Sequence, residues 1–184
     1  MEKKIMIAGS GGQGILFLGK LICQAALLGG KNVTWFPSYG AEIRGGTANC
    51  TVVVSTNLIG SPIVKNPDAM IILNGASMDK FQQRIIENGE LYYDSSLITN
   101  NVKRDDLSIS AIPSSKIAGE LGNPRLSNMV LLGAFTALGQ LISEVNVKEA
   151  VKISVPEHRS SLIDKNIAAI EKGSEFAKNK KSKN

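Results

Sequence analysis

Residues 4–28 read KIMIAGSGGQGILFLGKLICQAALL, and this stretch decides the fold. Lys4 to Ala8 is a short apolar run of strand length, whereas Ile15 to Leu28 carries an almost continuous apolar surface of helix length. Between them, Gly9-Ser10-Gly11-Gly12-Gln13-Gly14 satisfies G-x-G-x-x-G. Glycines permit positive φ and close backbone approach, and the start of a helix presents unpaired N–H groups to an anion. The expectation is a first strand, a tight turn and a buried helix, with Gly11, Gly12, Gln13, Gly14 and Ile15 as a seat for a phosphate or pyrophosphate. The plainer alternative is a turn that only packs the helix on the sheet.

Working outward, Asn32 to Phe36 (NVTWF) predicts a second strand stopped by Pro37, so that the first thirty-six residues read as a βαβ unit. Ala48 to Ser55 has the β-branched content of a strand, and Ile59 to Val64 is expected to pair with it as an antiparallel addition. Further strands are predicted at Asp68 to Leu73, Glu90 to Asp94 and Leu107 to Ile112, with a helix at Asp79 to Glu87. Helices follow at Ser115 to Leu121, about Arg125 to Ile142, Val147 to Ser154 and Pro156 to Ala177, with Asn123 capping ahead of Pro124. Alternating strands and helices mean an α/β domain with an open, mostly parallel sheet.

At 184 residues, and roughly 150 residues per domain, the chain holds one domain. Hydrophobic residues make up 43% and charged residues 20%, which fits neither a disordered chain nor a membrane protein. The net charge of +5 owes most to Lys178, Lys180, Lys181 and Lys183, so the basicity is expected to be a solvated tail over 178–184, with no nucleic-acid partner. Cys23 and Cys50 form no C-x-x-C, so neither an iron–sulfur cluster nor a Cys-rich zinc site is expected within this chain, and a disulfide scaffold is not expected either. The N-terminal apolar run is broken by glycines and no apolar segment spans a bilayer, so the expected location is the cytoplasm.

Other motifs narrow the chemistry. Gly14-Ile15-Leu16-Phe17-Leu18-Gly19-Lys20 has Walker A spacing, but Leu21 replaces the magnesium-binding hydroxyl and the loop would be apolar, so it reads as helix interior. No Asp or Glu lies between Gly14 and Glu42, where a nicotinamide dinucleotide site places an acid for the ribose. Lys31 or Arg44 suits a ligand with an extra phosphate, NADP-like or CoA-like. Ser38-Tyr39-Gly40-Ala41-Glu42-Ile43-Arg44-Gly45-Gly46-Thr47 follows the second strand, and this glycine-rich segment reads as a binding or partner-contact loop. His158, the only histidine, sits at a helix start without a triad or metal spacing around it. The pattern is that of a binding component, with no catalytic residue of its own.

The segments GSGGQGILFLGKLICQAA (9–26), PSYGAEIRGGTANCTVVVS (37–55), IGSPIV (59–64) and PRLSNMVLLGAF (124–135) together resemble the gamma subunit of 2-oxoacid:ferredoxin oxidoreductases, most closely its 2-oxoglutarate and 2-oxoisovalerate types. The resemblance implies a Rossmann-like three-layer α/β domain over residues 1–177, the gamma-type catalytic domain of pyruvate/ketoisovalerate oxidoreductases, followed by the basic tail 178–184. It implies a complex with alpha, beta and ferredoxin-like delta subunits. These carry thiamine diphosphate, magnesium and iron–sulfur clusters, decarboxylate a 2-oxo acid, reduce ferredoxin and transfer the acyl group to coenzyme A. It further implies that Gly11, Gly12, Gln13, Gly14 and Ile15 border the CoA phosphates, with Asn128 as a polar contact and Arg44 as the basic one. Tyr39, Glu42, Ile43 and Arg44 are expected at the subunit interface. Two other functions stay open at this point: a stand-alone binder of NADP or another nucleotide, and a scaffold domain without a ligand.

Overall fold

A computed structural model describes residues 1–38, 47–99 and 102–181. Its elements are β1 (Glu2–Ser10), α1 (Ile15–Leu28), β2 (Asn32–Ser38), β3 (Thr47–Ser55), β4 (Ala69–Ile72), α2 (Gly75–Phe81), β5 (Glu90–Asp94), β6 (Ser108–Ile112), α3 (Ser114–Glu120), α4 (Ser127–Gly139), α5 (Glu144–Ser154) and α6 (Ile163–Lys181). Short 3-10 turns occupy Gln82–Arg84, Pro124–Leu126 and Glu157–Leu162.

The six strands lie in the order β2-β3-β1-β4-β5-β6. β4, β5 and β6 follow β1 in parallel, and β3 runs antiparallel between β1 and β2. The mostly parallel α/β sheet is therefore present, but β1 and β2 are not neighbours. Burial explains the insertion. Residues 50–55 of β3 are buried on both faces, which demands a partner on each side, whereas β2 is half exposed and suits an edge. β2 also continues through Pro37 to Ser38, because an edge strand tolerates a residue without an N–H.

With both sides of β3 taken, the strand expected at Ile59 to Val64 cannot pair with it. That segment is instead irregular, its Val64 and Lys65 carbonyls held by the Arg84 guanidinium at 2.9 Å each. α2 starts earlier than expected, because the Asn74 side chain accepts from the Ser77 N–H at 2.9 Å. α5 starts at Glu144 because Ser143 caps it. The last helical stretch is split by a kink at Arg159, so Pro156 precedes a 3-10 turn and not α6 itself. α6 runs on to Lys181, where a solvated tail was expected from residue 178. Lys178 reaches Glu144 at 3.3 Å and Lys180 reaches the Ala111 carbonyl at 3.3 Å, and cations suit a helix C-terminus.

Two apolar layers sandwich the sheet. On one face α1, α4, α5 and α6 cover Ile5, Ile7, Val52, Val54 and Ile71; on the other, α2 and the segment around Ile98 and Leu107 cover Met6, Ala8, Met70, Ile72 and Leu91. Where α4 crosses α6, a Cβ on Gly133 would lie within 2.8 Å of the Ile170 carbonyl carbon, and one on Gly173 within 2.7 Å of that of Val130. The two helices thus touch backbone to backbone. Among the described residues no helix is long and apolar enough to cross a membrane.

Cys23 and Cys50 are free and buried, and burial pushes both thiols from 9.0 up to about 12. Burial, and then the Glu90 carboxylate that accepts its hydroxyl, raises the Tyr92 phenol as well. Below pH 9.0 both folded and unfolded thiols are protonated and the full stability is present. Above it the unfolded chain releases protons that the native state keeps, so stability falls as pH rises toward 12, by on the order of 1 kcal/mol per thiol per pH unit. Denaturant midpoints should therefore drop more steeply between about pH 9 and 11 in the native sequence than in a Cys23→Ala/Cys50→Ala variant. Parallel losses in the two proteins would contradict this.

Candidate anion-binding site at the glycine turn

After β1 the chain turns to α1 on one face of the sheet, and after β4 it turns to α2 on the other. The carboxyl ends of β1 and β4 therefore flank a topological switch point, the place where open α/β sheets bind ligands. The glycine turn sits on this point. Gly12 has φ +91° and Gly14, which caps α1, has φ +71°, values that glycine adopts without penalty. Gly11 and Gly12 are exposed, and a Cβ on either would meet nothing within 4 Å, so the outer face of the turn is open.

α4 brings a second helix start to the same place. Asn128, in its first turn and 6% exposed, donates from Nδ2 to the Gly14 carbonyl at 3.4 Å and accepts from the Met129 N–H at 2.9 Å. Neither α1 nor α4 has an acidic residue in its first turn or a side-chain cap. α5 and α6, away from the turn, carry Glu144 and Asp164 there. The starts of α1 and α4 each carry roughly half a positive charge with no carboxylate in the first turn, although α4 continues directly from the Pro124–Leu126 turn, whose start Asn123 caps. Backbone amides and carboxamides arranged this way can hold a phosphate; they offer no nucleophile or proton-transfer group.

The residues expected from the sequence at positions 11–15 and 128 are thus brought together, with two refinements. Ile15 is buried to 3% exposure, so its side chain packs the core and only its backbone faces the turn. The Gln13 carboxamide points inward: Oε1 accepts from the Ser10 N–H at 2.7 Å and Nε2 donates to the Leu73 carbonyl at 3.0 Å. Tyr39, Glu42, Ile43 and Arg44 lie outside the described residues. The segment that holds them starts and ends at Ser38 and Thr47, and Thr47 pairs in register with Ser10. Sequence reasoning missed Ser10 and Asn74, whose Nδ2 donates to the Ser10 hydroxyl. An Asn after a buried strand and ahead of Gly-Ala-Ser is an N-cap signal that was available. The Walker-like Gly19 and Lys20 fall inside α1 as expected, and His158 is exposed in the 3-10 turn before α6. Among the described residues no group of three or more His, Cys, Asp or Glu is placed to hold a metal ion.

The family model described as pyruvate ferredoxin/flavodoxin oxidoreductase matches residues 4–176. Ketoisovalerate oxidoreductase subunit VorA of Methanothermobacter thermautotrophicus is 37% identical over 178 residues; these are 96% of this chain but only 37% of that relative's length. 2-Oxoglutarate synthase subunit KorC of Methanocaldococcus jannaschii is 36% identical over 181 residues, covering 97% of this chain and 95% of the relative. Among solved structures, the gamma subunit of a keto/oxoacid ferredoxin oxidoreductase from Geobacter sulfurreducens superposes with a TM-score of 0.83 at 29% identity, covering 95% of this chain and 98% of its own. The 2-oxoglutarate:ferredoxin oxidoreductase of Magnetococcus marinus, solved with 2-oxoglutarate, coenzyme A and succinyl-CoA bound, gives 0.87 at 28% identity, covering 97% of this chain and 31% of its own.

Proposed function

The chain belongs to the pyruvate ferredoxin/flavodoxin oxidoreductase family, and on that premise we propose that it is the gamma subunit of a 2-oxoacid:ferredoxin oxidoreductase complex that seats coenzyme A. The observation that carries the ligand assignment is the open Gly11–Gly12 turn between two acid-free helix starts, a cradle that a carboxylate would spoil. CoA phosphates lie against this turn, with Asn128 fixing the approach of α4 and Arg44 supplying the cation. Thiamine diphosphate, magnesium and the iron–sulfur clusters belong to the partner subunits, where they supply decarboxylation and electron transfer. This chain binds and orients the acyl acceptor.

The partners are alpha, beta and ferredoxin-like delta chains, met in part through Tyr39, Glu42, Ile43 and Arg44. The chain spans only 37% of the length of VorA, and 95% of that of KorC. The preferred substrate is 2-oxoglutarate, supported by the co-extensive KorC relative. A 2-oxoisovalerate enzyme is the second reading, favoured by the identity to VorA.

The purified chain alone is expected to reduce no viologen with any 2-oxo acid, while the assembled complex reduces it in a CoA-dependent manner. Comparing kcat/KM for 2-oxoglutarate, 2-oxoisovalerate and pyruvate assigns the substrate. Turnover by the chain alone, or a complex indifferent to CoA, would refute the proposal.

A further inference from the structure

The hydrogen-bond ladder between β1 and β4 does not stop where the strands do. The Leu73 N–H donates to the Ala8 carbonyl at 2.9 Å. One rung further, the place of a backbone is taken by the Gln13 carboxamide, which accepts from Ser10 N–H at 2.7 Å and donates to the Leu73 carbonyl at 3.0 Å. Asn74 adds a second tie by donating to the Ser10 hydroxyl while its Oδ1 caps α2. Gly9 is needed to admit this arrangement, since a Cβ there would come within 2.7 Å of Gln13 Oε1.

In an open α/β sheet the crevice at the switch point is where a dinucleotide is laid across the strand ends. Here the groups that would face such a ligand are already engaged: the Ser10 N–H and the Leu73 carbonyl with Gln13, the Ser10 hydroxyl with the Asn74 Nδ2, and the Asn74 Oδ1 with the Ser77 N–H. By contrast, among the described residues no hydrogen bond takes up the Gly11 or Gly12 N–H. The polar groups at the strand ends are engaged, and the outside of the turn is open.

We infer that Gln13 is a positioning residue: its carboxamide seals the crevice between β1 and β4 and holds the Gly11–Gly12 turn so that an anionic ligand is received on the turn's outer face, beside Asn128. This deepens, and rests on, the reading of the turn as the CoA seat. It also separates the chain from nucleotide-binding domains that share its glycine pattern, because a dinucleotide finds no slot between the strands.

The test compares native sequence, Gln13→Met and Gln13→Glu. Met keeps the length and loses both hydrogen bonds; Glu keeps the acceptor for Ser10 and loses the donor to Leu73. In the assembled complex both are expected to raise the KM for CoA on the order of tenfold to a hundredfold, the scale of a misplacement of about 1 Å, with kcat changed less than about threefold. In the ligand-free full-length chain, amide exchange at Ser10 and at position 13, whose N–H groups are the ones hydrogen-bonded within the turn, should accelerate at least about tenfold, as expected for local opening of the turn. Gln13→Glu carries the test if Gln13→Met does not assemble.

A raised KM with unchanged ligand-free exchange would mean that Gln13 touches the ligand itself and would overturn the inference. Unchanged KM, whatever the exchange, would overturn it too. If the native complex proves indifferent to CoA, the function proposal has failed. Exchange in the presence of inorganic pyrophosphate then decides the inference: protection of Gly11 and Gly12 in the native chain and its loss in the variants supports it, and equal protection defeats it.

Discussion

Gly133→Ala is expected to destabilise the chain by about 3 kcal/mol or more, the upper end for overpacking, and to lower its melting temperature by roughly 6–12 °C for a domain of this size. The new Cβ would lie within 2.8 Å of the Ile170 carbonyl carbon, and the obstacle is backbone, which cannot rotate aside as a side chain does. Relief requires α4 to move away from α6. The reciprocal approach of Gly173 to Val130 means that such a shift opens both contacts at once. Because Asn128 stands in the first turn of α4, the displacement would also loosen its contact with Gly14. Gly119→Ala in α3 is the control: it meets nothing within 4 Å and should stabilise by a few tenths of a kcal/mol to about 1. Thermal unfolding followed by circular dichroism separates the two, and equal melting temperatures would show that α4 and α6 do not cross at these glycines.

Gly11→Asp should have the largest effect on ligand binding. Gly11 has no positive φ and open space around its Cβ, so the substitution adds a charge without strain or collision. A carboxylate about 4 Å from a phosphate charge near a protein surface is repelled by up to about 4 kcal/mol before screening by salt. A rise in the KM for CoA of at least about thirtyfold, roughly 2 kcal/mol, is therefore expected, while Gly11→Ala changes it little. Gly12→Asp should raise the KM as well, and in addition lower the melting temperature, because φ +91° is strained for any residue with a side chain. If the assembled complex carrying Gly11→Asp keeps the native KM, the phosphates do not lie at this turn.

The parts of the fold legible in advance are those that local pattern controls. An apolar run, a glycine turn and a longer apolar run can only be strand, turn and helix, and residues 4–28 form them. The position of β3 was not legible, because the order of strands in a sheet depends on which distant edges remain free. The same fact explains why Ile59 to Val64, apolar enough for a strand, does not pair with β3. Within the site, the glycines at 11, 12 and 14 could be read from their spacing, and Asn128 from the family resemblance. The inward turn of Gln13 could not, since its acceptor on Leu73 is remote in sequence and the side chain looks equally suited to a ligand. Lys178 illustrates the converse: the residues that follow it are polar and suggest a free end, but its carboxylate partner, Glu144, belongs to another helix.

The interposition of β3 also sets the order in which the molecule can assemble. β1 is the first strand synthesised, and both of its neighbours, β3 and β4, emerge from the ribosome much later. β2, made soon after β1, has no pairing partner at all until β3 appears. α1 meanwhile waits for α5, near the other end of the chain, to cover one of its flanks. Closing such long loops before any pairing can form is entropically costly, and folding dominated by non-local pairing is slow. Until β3 has been made, the nascent chain therefore carries an apolar strand and an apolar helix with few partners besides each other, a state prone to aggregation.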